Sequence, residues 1–421
     1  MTVQPRSETT LLHQTLENGL QIVGQHIPGV ESTAAMFWVK TGARDEGPAE
    51  SGVSHFLEHM AFKRSKTRTY VEFNHEFEEI GAENNAFTSI EMTAYHARVL
   101  GDQLPKAIEL LADLTQPALD ATDFDEERRV ILEEIARHRD QPYSLLFDEF
   151  LGAFYPGSPL GQPTLGTPET ISAMSVRDMQ AYRDRRYGSD NMLVSVAGNF
   201  EWNRVLEQIR DITRDWPRPT VMAHVSPRSG SGRDRIITDS KWNQQHFIIG
   251  TPSIDRSDPQ YYACAILANI LGDSSGSRLF WALNQTGLAD QVGADTMTFA
   301  DRGVMLAIAV TDPDKAAKAL ATLREELVKL QTGPIQDEEL ERAKMKLLTS
   351  TVLEGESTSA RMMGLVDSWL AYGRLETLEE VQSAIEAVTV QDVKQLLDRF
   401  PLTESQVLTA LGPLSADELV E

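Results

Sequence analysis

The stretch SGVSHFLEHMAF (51–62) places His55, Glu58 and His59 within about one turn of chain. At about 100° per residue, Val53, Phe56, Leu57 and Met60 share one apolar face, and this spacing predicts a helix. His55 and His59 lie one turn apart on the opposite face, where both imidazoles can reach one cation. Glu58 sits beside them, placed to take a proton from water. For a bare His–His pair, the simpler alternative is a polar helix surface. The full H-x-x-E-H string is the inverted form of the H-E-x-x-H zinc signature and favours a metal site.

A hydrolytic zinc ion takes three protein ligands and leaves a position for water, so one more donor is required. The segment DFDEERRVILEEIARHRD (123–140) offers it. Asp123 with Glu126 forms a capping-box pattern and predicts a helix start there. Two adjacent carboxylates then compete, and helical phase separates them. Glu133 lies on a stripe with Arg129 and Arg137, an ion-pair face turned to solvent. Glu134 shares its face with Glu127, Ile131 and His138 and is the expected third ligand. Glu127, two turns earlier, is expected to orient a ligand imidazole. The alternative for Glu127 is an ordinary surface carboxylate.

These residues need a scaffold, and the chain is long enough to build one. Its 421 residues suit two domains, and 41% hydrophobic with 24% charged residues is a core-forming composition. Strands are expected at 20–27, 34–42 and 191–200, and again at 234–240, 245–252 and 303–310. The segment 215–234, with three prolines and a Ser/Gly cluster, reads as a linker. This gives a domain over 1–214, a linker over 215–234 and a second domain over 235–421. Strand, loop and helix recur in both halves, at 37–62 and at 247–273, which points to an internal duplication. The second helix carries no His or Glu, so only the first half is expected to hold metal.

The net charge of −24 argues against nucleic acid or an anionic membrane as partner. Cys264 is the only cysteine, which rules out an intramolecular disulfide. The N-terminal residues show no signal-peptide pattern, and no stretch is apolar for long enough to cross a bilayer. A cytoplasmic location is expected.

The HFLEH string (55–59) followed by ERRVILEEI, which contains Glu134, resembles the M16 metallopeptidase family. So do GAENNAFTSIEMTAYHARV (81–99) and NILGDSSGSRLFWALNQTGLADQV (269–292). The resemblance covers nearly the whole chain and is nearest to the two-domain, processing-peptidase-like branch. It implies an α+β fold of two similar domains, each an antiparallel sheet with helices packed on one side. It implies Zn2+ held by His55, His59 and Glu134, with Glu58 as general base and Glu127 as a further acidic residue near the metal. It also implies a zinc metalloendopeptidase that cleaves unfolded or extended peptides inside a chamber. Asn85, Ala86 and Phe87 would then lie on an edge strand that pairs with substrate backbone.

One departure stands out. Where active members of the family carry an Arg and a Tyr, this chain has Leu283 and Asp290. Neither can replace a guanidinium or a phenol at the reacting carbonyl, where loss of one donor costs about 10²–10³ in rate. The resemblance therefore implies the zinc-bearing member of a two-subunit enzyme, with a homologous subunit supplying the Arg/Tyr pair in a heterodimer. A homodimer would repeat the defect. The other readings are a non-proteolytic zinc hydrolase and a non-catalytic structural or assembly subunit on the same fold.

Overall fold

Residues 32–39 alternate between two buried faces. Ala35, Phe37 and Val39 point one way, and Ala34, Met36 and Trp38 point the other. A strand buried on both sides must sit inside a sheet that is covered on both sides. The computed structural model, which describes residues 9–218, 232–273 and 275–419, has that arrangement.

The first sheet contains β1 (Thr10–Thr15), β2 (Gln21–His26), β3 (Ser32–Val39), β4 (Glu83–Thr88), β5 (Thr93–Leu100) and β6 (Met192–Gly198). Its order is β1-β2-β6-β3-β5-β4, so β4 is an edge. One face is covered by α1 (Val53–Lys63), α2 (Tyr70–Glu79), α3 (Leu104–Leu114) and α4 (Ala121–Arg139), which contribute Phe56, Phe73, Ile108, Leu111 and Phe124 to the core. The other face is covered by the helix Thr358–Tyr372, through Met362, Leu365 and Val366. The Ser195 hydroxyl donates to the Met362 carbonyl at 2.7 Å and fixes that helix against the sheet.

The second sheet contains β7 (Arg235–Thr238), β8 (Gln245–Ser253), β9 (Gln291–Thr298), β10 (Gly303–Thr311) and β11 (Val407–Gly412), in the order β7-β11-β8-β10-β9. The helix Tyr261–Gly272 lies on one face, with Ile266, Leu267 and Ile270 buried. On the other face α5 (Pro142–Phe154) packs against β8 and β11. Phe150 of α5 fills the space above Gly250, where a Cβ would come within 2.2 Å of the Phe150 ring. Gly250 is therefore a packing glycine.

The two sheets repeat one plan. The order β2-β6-β3-β5-β4 matches β7-β11-β8-β10-β9, and a helix leads on from the central strand β3 as another does from β8. The sheets are antiparallel except for one parallel pair each, β2 with β6 and β7 with β11, so they are mixed. The compact units are discontinuous. One comprises residues 1–136, 162–225 and 353–377, and the other 137–161, 226–352 and 378–421. The boundaries expected at 214 and 235 miss this arrangement, because each sheet takes the helix on its second face from the opposite half of the chain. Most of the expected linker, 219–231, lies outside the described residues. Among the described residues no helix is long and apolar enough to cross a membrane.

Phe150→Ala should cost about 3–5 kcal/mol, because it opens a cavity over β8 that Gly250 cannot fill. Urea denaturation of the variant measures this, and a loss below about 1 kcal/mol would contradict the packing described.

Candidate metal centre

α1 starts at Gly52, whose φ of 90° is open to glycine without strain. A Cβ there would lie 2.7 Å from the Leu165 carbonyl oxygen, so glycine is also needed for space. Val53, Phe56, Leu57 and Met60 enter the core, which fixes the rotation of the helix. The opposite face does not meet open solvent: His55 and Glu58 are buried and His59 is half-buried.

α4 crosses this face. It begins at Ala121, two residues before the expected start at Asp123. Asp120 Oδ1 accepts from the amides of Thr122 (2.8 Å) and Asp123 (3.2 Å) and so caps the helix itself. The Asp123 carboxylate is free to accept from Arg64 Nε at 3.0 Å, and the expected capping box with Glu126 does not form. Phe124 stacks on Phe56 with ring centroids 4.4 Å apart, which sets the register of α4 against α1. In that register Glu133 is exposed, while Glu134 turns toward the histidines.

Among the described residues, His55, His59 and Glu134 place one ligand atom each within 4.8 Å of one another. Glu134 Oε1 lies 3.7 Å from His55 Nε2, and Oε2 lies 3.4 Å from His59 Nε2. The imidazole centroids are 4.5 Å apart. Two Nε2 atoms and a carboxylate converging at this range suit a small divalent cation, and the N/N/O donor set suits zinc. The tautomer of His59 agrees. Its Nδ1 donates to Glu127 Oε1 at 2.8 Å, leaving Nε2 as the lone-pair donor. Glu127 is itself held by Lys63, whose Nζ lies 2.5 Å from Oε2.

The charges on these groups follow from their surroundings. Burial pushes the Glu58 carboxyl above its ordinary value, although the Thr88 hydroxyl donates to Oε2 at 2.7 Å and pulls the other way. A carboxyl raised in this way is suited to taking up a proton. Burial would also raise Glu127, but the hydrogen bonds from His59 and Lys63 outweigh it and hold Glu127 below the usual range. For His59, burial lowers the pKa, and the bond to Glu127 together with the carboxylates of Glu127, Glu134 and Glu58 reverses this and raises it.

The proposed substrate strand adjoins this cluster. Among the described residues β4 pairs only with β5, and Asn85 is exposed, Ala86 buried and Phe87 half-buried. Thr88, the last residue of β4, ties the strand to Glu58. The sequence reading missed the roles of Lys63 and Thr88. Lys63 lies one turn beyond His59 on the same helix, so its position was available as a signal. The Thr88 contact depends on how β4 folds back, and local spacing carries no trace of it. Leu283 is fully buried in the core of the second unit, and exposed Asp290 accepts from Gln244 Nε2 at 2.7 Å.

Residues 21–168 match Insulinase (Peptidase family M16), and residues 173–347 match the Peptidase M16 inactive domain. The chain belongs to peptidase family M16. An uncharacterized zinc protease of Streptomyces coelicolor is 34% identical over 415 residues, covering 96% of this chain and 90% of that protein. The uncharacterized zinc protease YmxG of Bacillus subtilis is 30% identical over 401 residues, covering 95% of this chain and 97% of that protein. Among solved structures, a protease from Helicobacter pylori shares the fold with a TM-score of 0.89 at 24% identity, covering 96% of this chain and all of that one. A chain of Complex III2 from Candida albicans does so with a TM-score of 0.84 at 18% identity, covering 98% and 99%.

Glu134→Gln should weaken zinc binding by at least about 10–100-fold, while Glu133→Gln should change it less than about twofold. Competition with a chromophoric chelator measures both. Equal loss in the two variants would contradict the helical phase of α4.

Proposed function

We propose that the chain is a zinc metalloendopeptidase acting on extended peptides, and that it is the zinc-bearing member of a two-subunit enzyme. The observation that carries the reading is the convergence of His55, His59 and Glu134 beside a buried Glu58. Family membership and relatives named as zinc proteases support it. A bound zinc ion would supply a Lewis acid that polarises a carbonyl and acidifies water.

The chain's own residues do the rest. Glu58 accepts the proton of the attacking water at a carboxylate oxygen and later delivers it to the leaving amine. Thr88 holds the other face of that carboxyl group in place, and Glu127 keeps the His59 ring turned with Nε2 toward the donor cluster. An extended peptide pairs with the free edge of β4 at Asn85, Ala86 and Phe87, which favours unfolded substrates inside a closed chamber.

The second subunit follows from what this chain lacks. Leu283 is core, and an Arg there would bury an unpaired guanidinium. Asp290 would bring negative charge to a carbonyl that is itself becoming negative. A homologous partner supplying an Arg and a Tyr meets the need that a homodimer leaves unmet. A structural subunit on the same fold is the second reading, and the likeness to the Complex III2 chain speaks for it at the level of fold alone. Three converging ligand groups beside a buried carboxyl are of no use to a scaffold, and they favour the enzyme.

Glu58→Gln should keep zinc and lower peptide cleavage by about 10²–10⁴-fold, because the amide cannot take up a proton. Near wild-type turnover would remove Glu58 as the base. The isolated chain should cleave a fluorogenic peptide weakly or not at all, and a homologous subunit with the Arg/Tyr pair should restore the rate. Full activity from the isolated chain would overturn the two-subunit assignment.

A further inference from the structure

The helix that carries both histidines begins without a side-chain cap of its own. Its N-cap is Gly52, which has no side chain to accept from the first-turn amides. Those amides are buried, so leaving them unpaired would be costly. The acceptor comes from outside the helix. Glu46 Oε2 accepts from the Gly52 amide at 2.7 Å, and Oε1 accepts from the Ser54 amide at 2.8 Å. Glu46 is 1% exposed, so no water competes for these bonds. An acidic group at this end also complements the positive end of the helix dipole.

Glu46 is not isolated. It belongs to a largely buried segment, 41–46, in the connection between β3 and α1. Tyr182 bridges the two ends of that connection, with its hydroxyl 2.9 Å from Thr41 Oγ1 and 2.7 Å from Ser54 Oγ. Two residues before Glu46, the amide of Arg44 donates to the Ile90 carbonyl at 2.7 Å, and its side chain pairs with Glu91. Ile90 and Glu91 lie in the turn between β4 and β5. The same short segment therefore holds the start of the histidine helix and the end of the proposed substrate strand.

We propose that Glu46 is a positioning residue for the metal site: by capping the Gly52 and Ser54 amides it fixes the first turn of α1, and with it the direction in which His55 presents Nε2. This rests on the reading of His55, His59 and Glu134 as metal ligands. His55 directly follows Ser54, so a first turn that frays or shifts moves this ligand before any other. His59, a turn further on, is held separately by Glu127. Burial pushes the Glu46 carboxyl up to about 8, against the pull of the Ser54 and Gly52 bonds. The ionised carboxylate accepts from both amides, and the protonated acid keeps its carbonyl oxygen as the acceptor for one of them.

The test compares Glu46→Met, which fills the space but accepts nothing, with Glu46→Gln, which keeps one acceptor. Glu50→Ala, which removes a neighbouring carboxylate that does not bond to α1, is the control. Zinc affinity of the isolated chain is measured by chelator competition, and amide hydrogen exchange is measured without metal. Glu46→Met should weaken zinc by about 10–100-fold, Glu46→Gln by less, and Glu50→Ala by less than about twofold. In Glu46→Gln, exchange should accelerate at the first turn of α1 and nowhere else. Two results would overturn the proposal: wild-type zinc affinity in a folded Glu46→Met, or wild-type protection of the Gly52 and Ser54 amides in Glu46→Gln. If the unaltered chain bound no zinc, the metal-site reading would fall instead, and the exchange measurement would still decide the capping role.

Discussion

The stacking of Phe56 on Phe124 is the contact on which the site depends. His55, Glu58 and His59 lie on α1, while Glu127 and Glu134 lie on α4, and nothing covalent relates the two helices nearby. A helix is rigid over a few turns, so one well-packed contact fixes where the rest of its face goes. Phe124 locks α4 at one point. Glu127, one turn on, then meets His59 Nδ1, and Glu134, two turns further, meets both Nε2 atoms. A register shift of one residue would replace Glu134 with the exposed Glu133 and disperse the cluster.

This arrangement gathers like charges. Three carboxylates, Glu58, Glu127 and Glu134, lie around two imidazoles in a site largely removed from water. Lys63 neutralises part of that charge through Glu127. The remainder appears in the opposed shifts of Glu58 and Glu127, one raised by burial and the other lowered by its partners. Neighbouring carboxyl groups with divergent proton affinities can divide their work. One is disposed to take up a proton and the other to stay charged and hold a ring in place.

Much of this was legible in the sequence because it is local. The H-x-x-E-H spacing placed the helix and the two imidazoles, and helical phase separated Glu134 from Glu133. Elements formed by long-range packing were not legible. β4 reads ENNAFT, with little apolar alternation, so its own residues give no strand signal, and the edge strand expected at Asn85–Phe87 comes from the family resemblance alone. It is a strand because β5 pairs with it. The helices 142–154 and 358–372 cover sheets built mainly from the opposite half of the chain, so no linear boundary could describe the two units. The true cap of α4, Asp120, lost out in the sequence to a stronger pattern three residues later. Glu46 drew no notice, because a carboxylate that caps a helix from six residues upstream matches no local signature.

X-ray absorption at the zinc edge of the metal-loaded chain tests the central claim most directly. The account predicts one zinc ion per chain with nitrogen and oxygen neighbours only, at about 2.0–2.2 Å, including two imidazoles. Cys264 is buried in the second unit and should contribute nothing. A sulfur neighbour at about 2.3 Å, a shell without imidazole, or a chain that retains no zinc would contradict it.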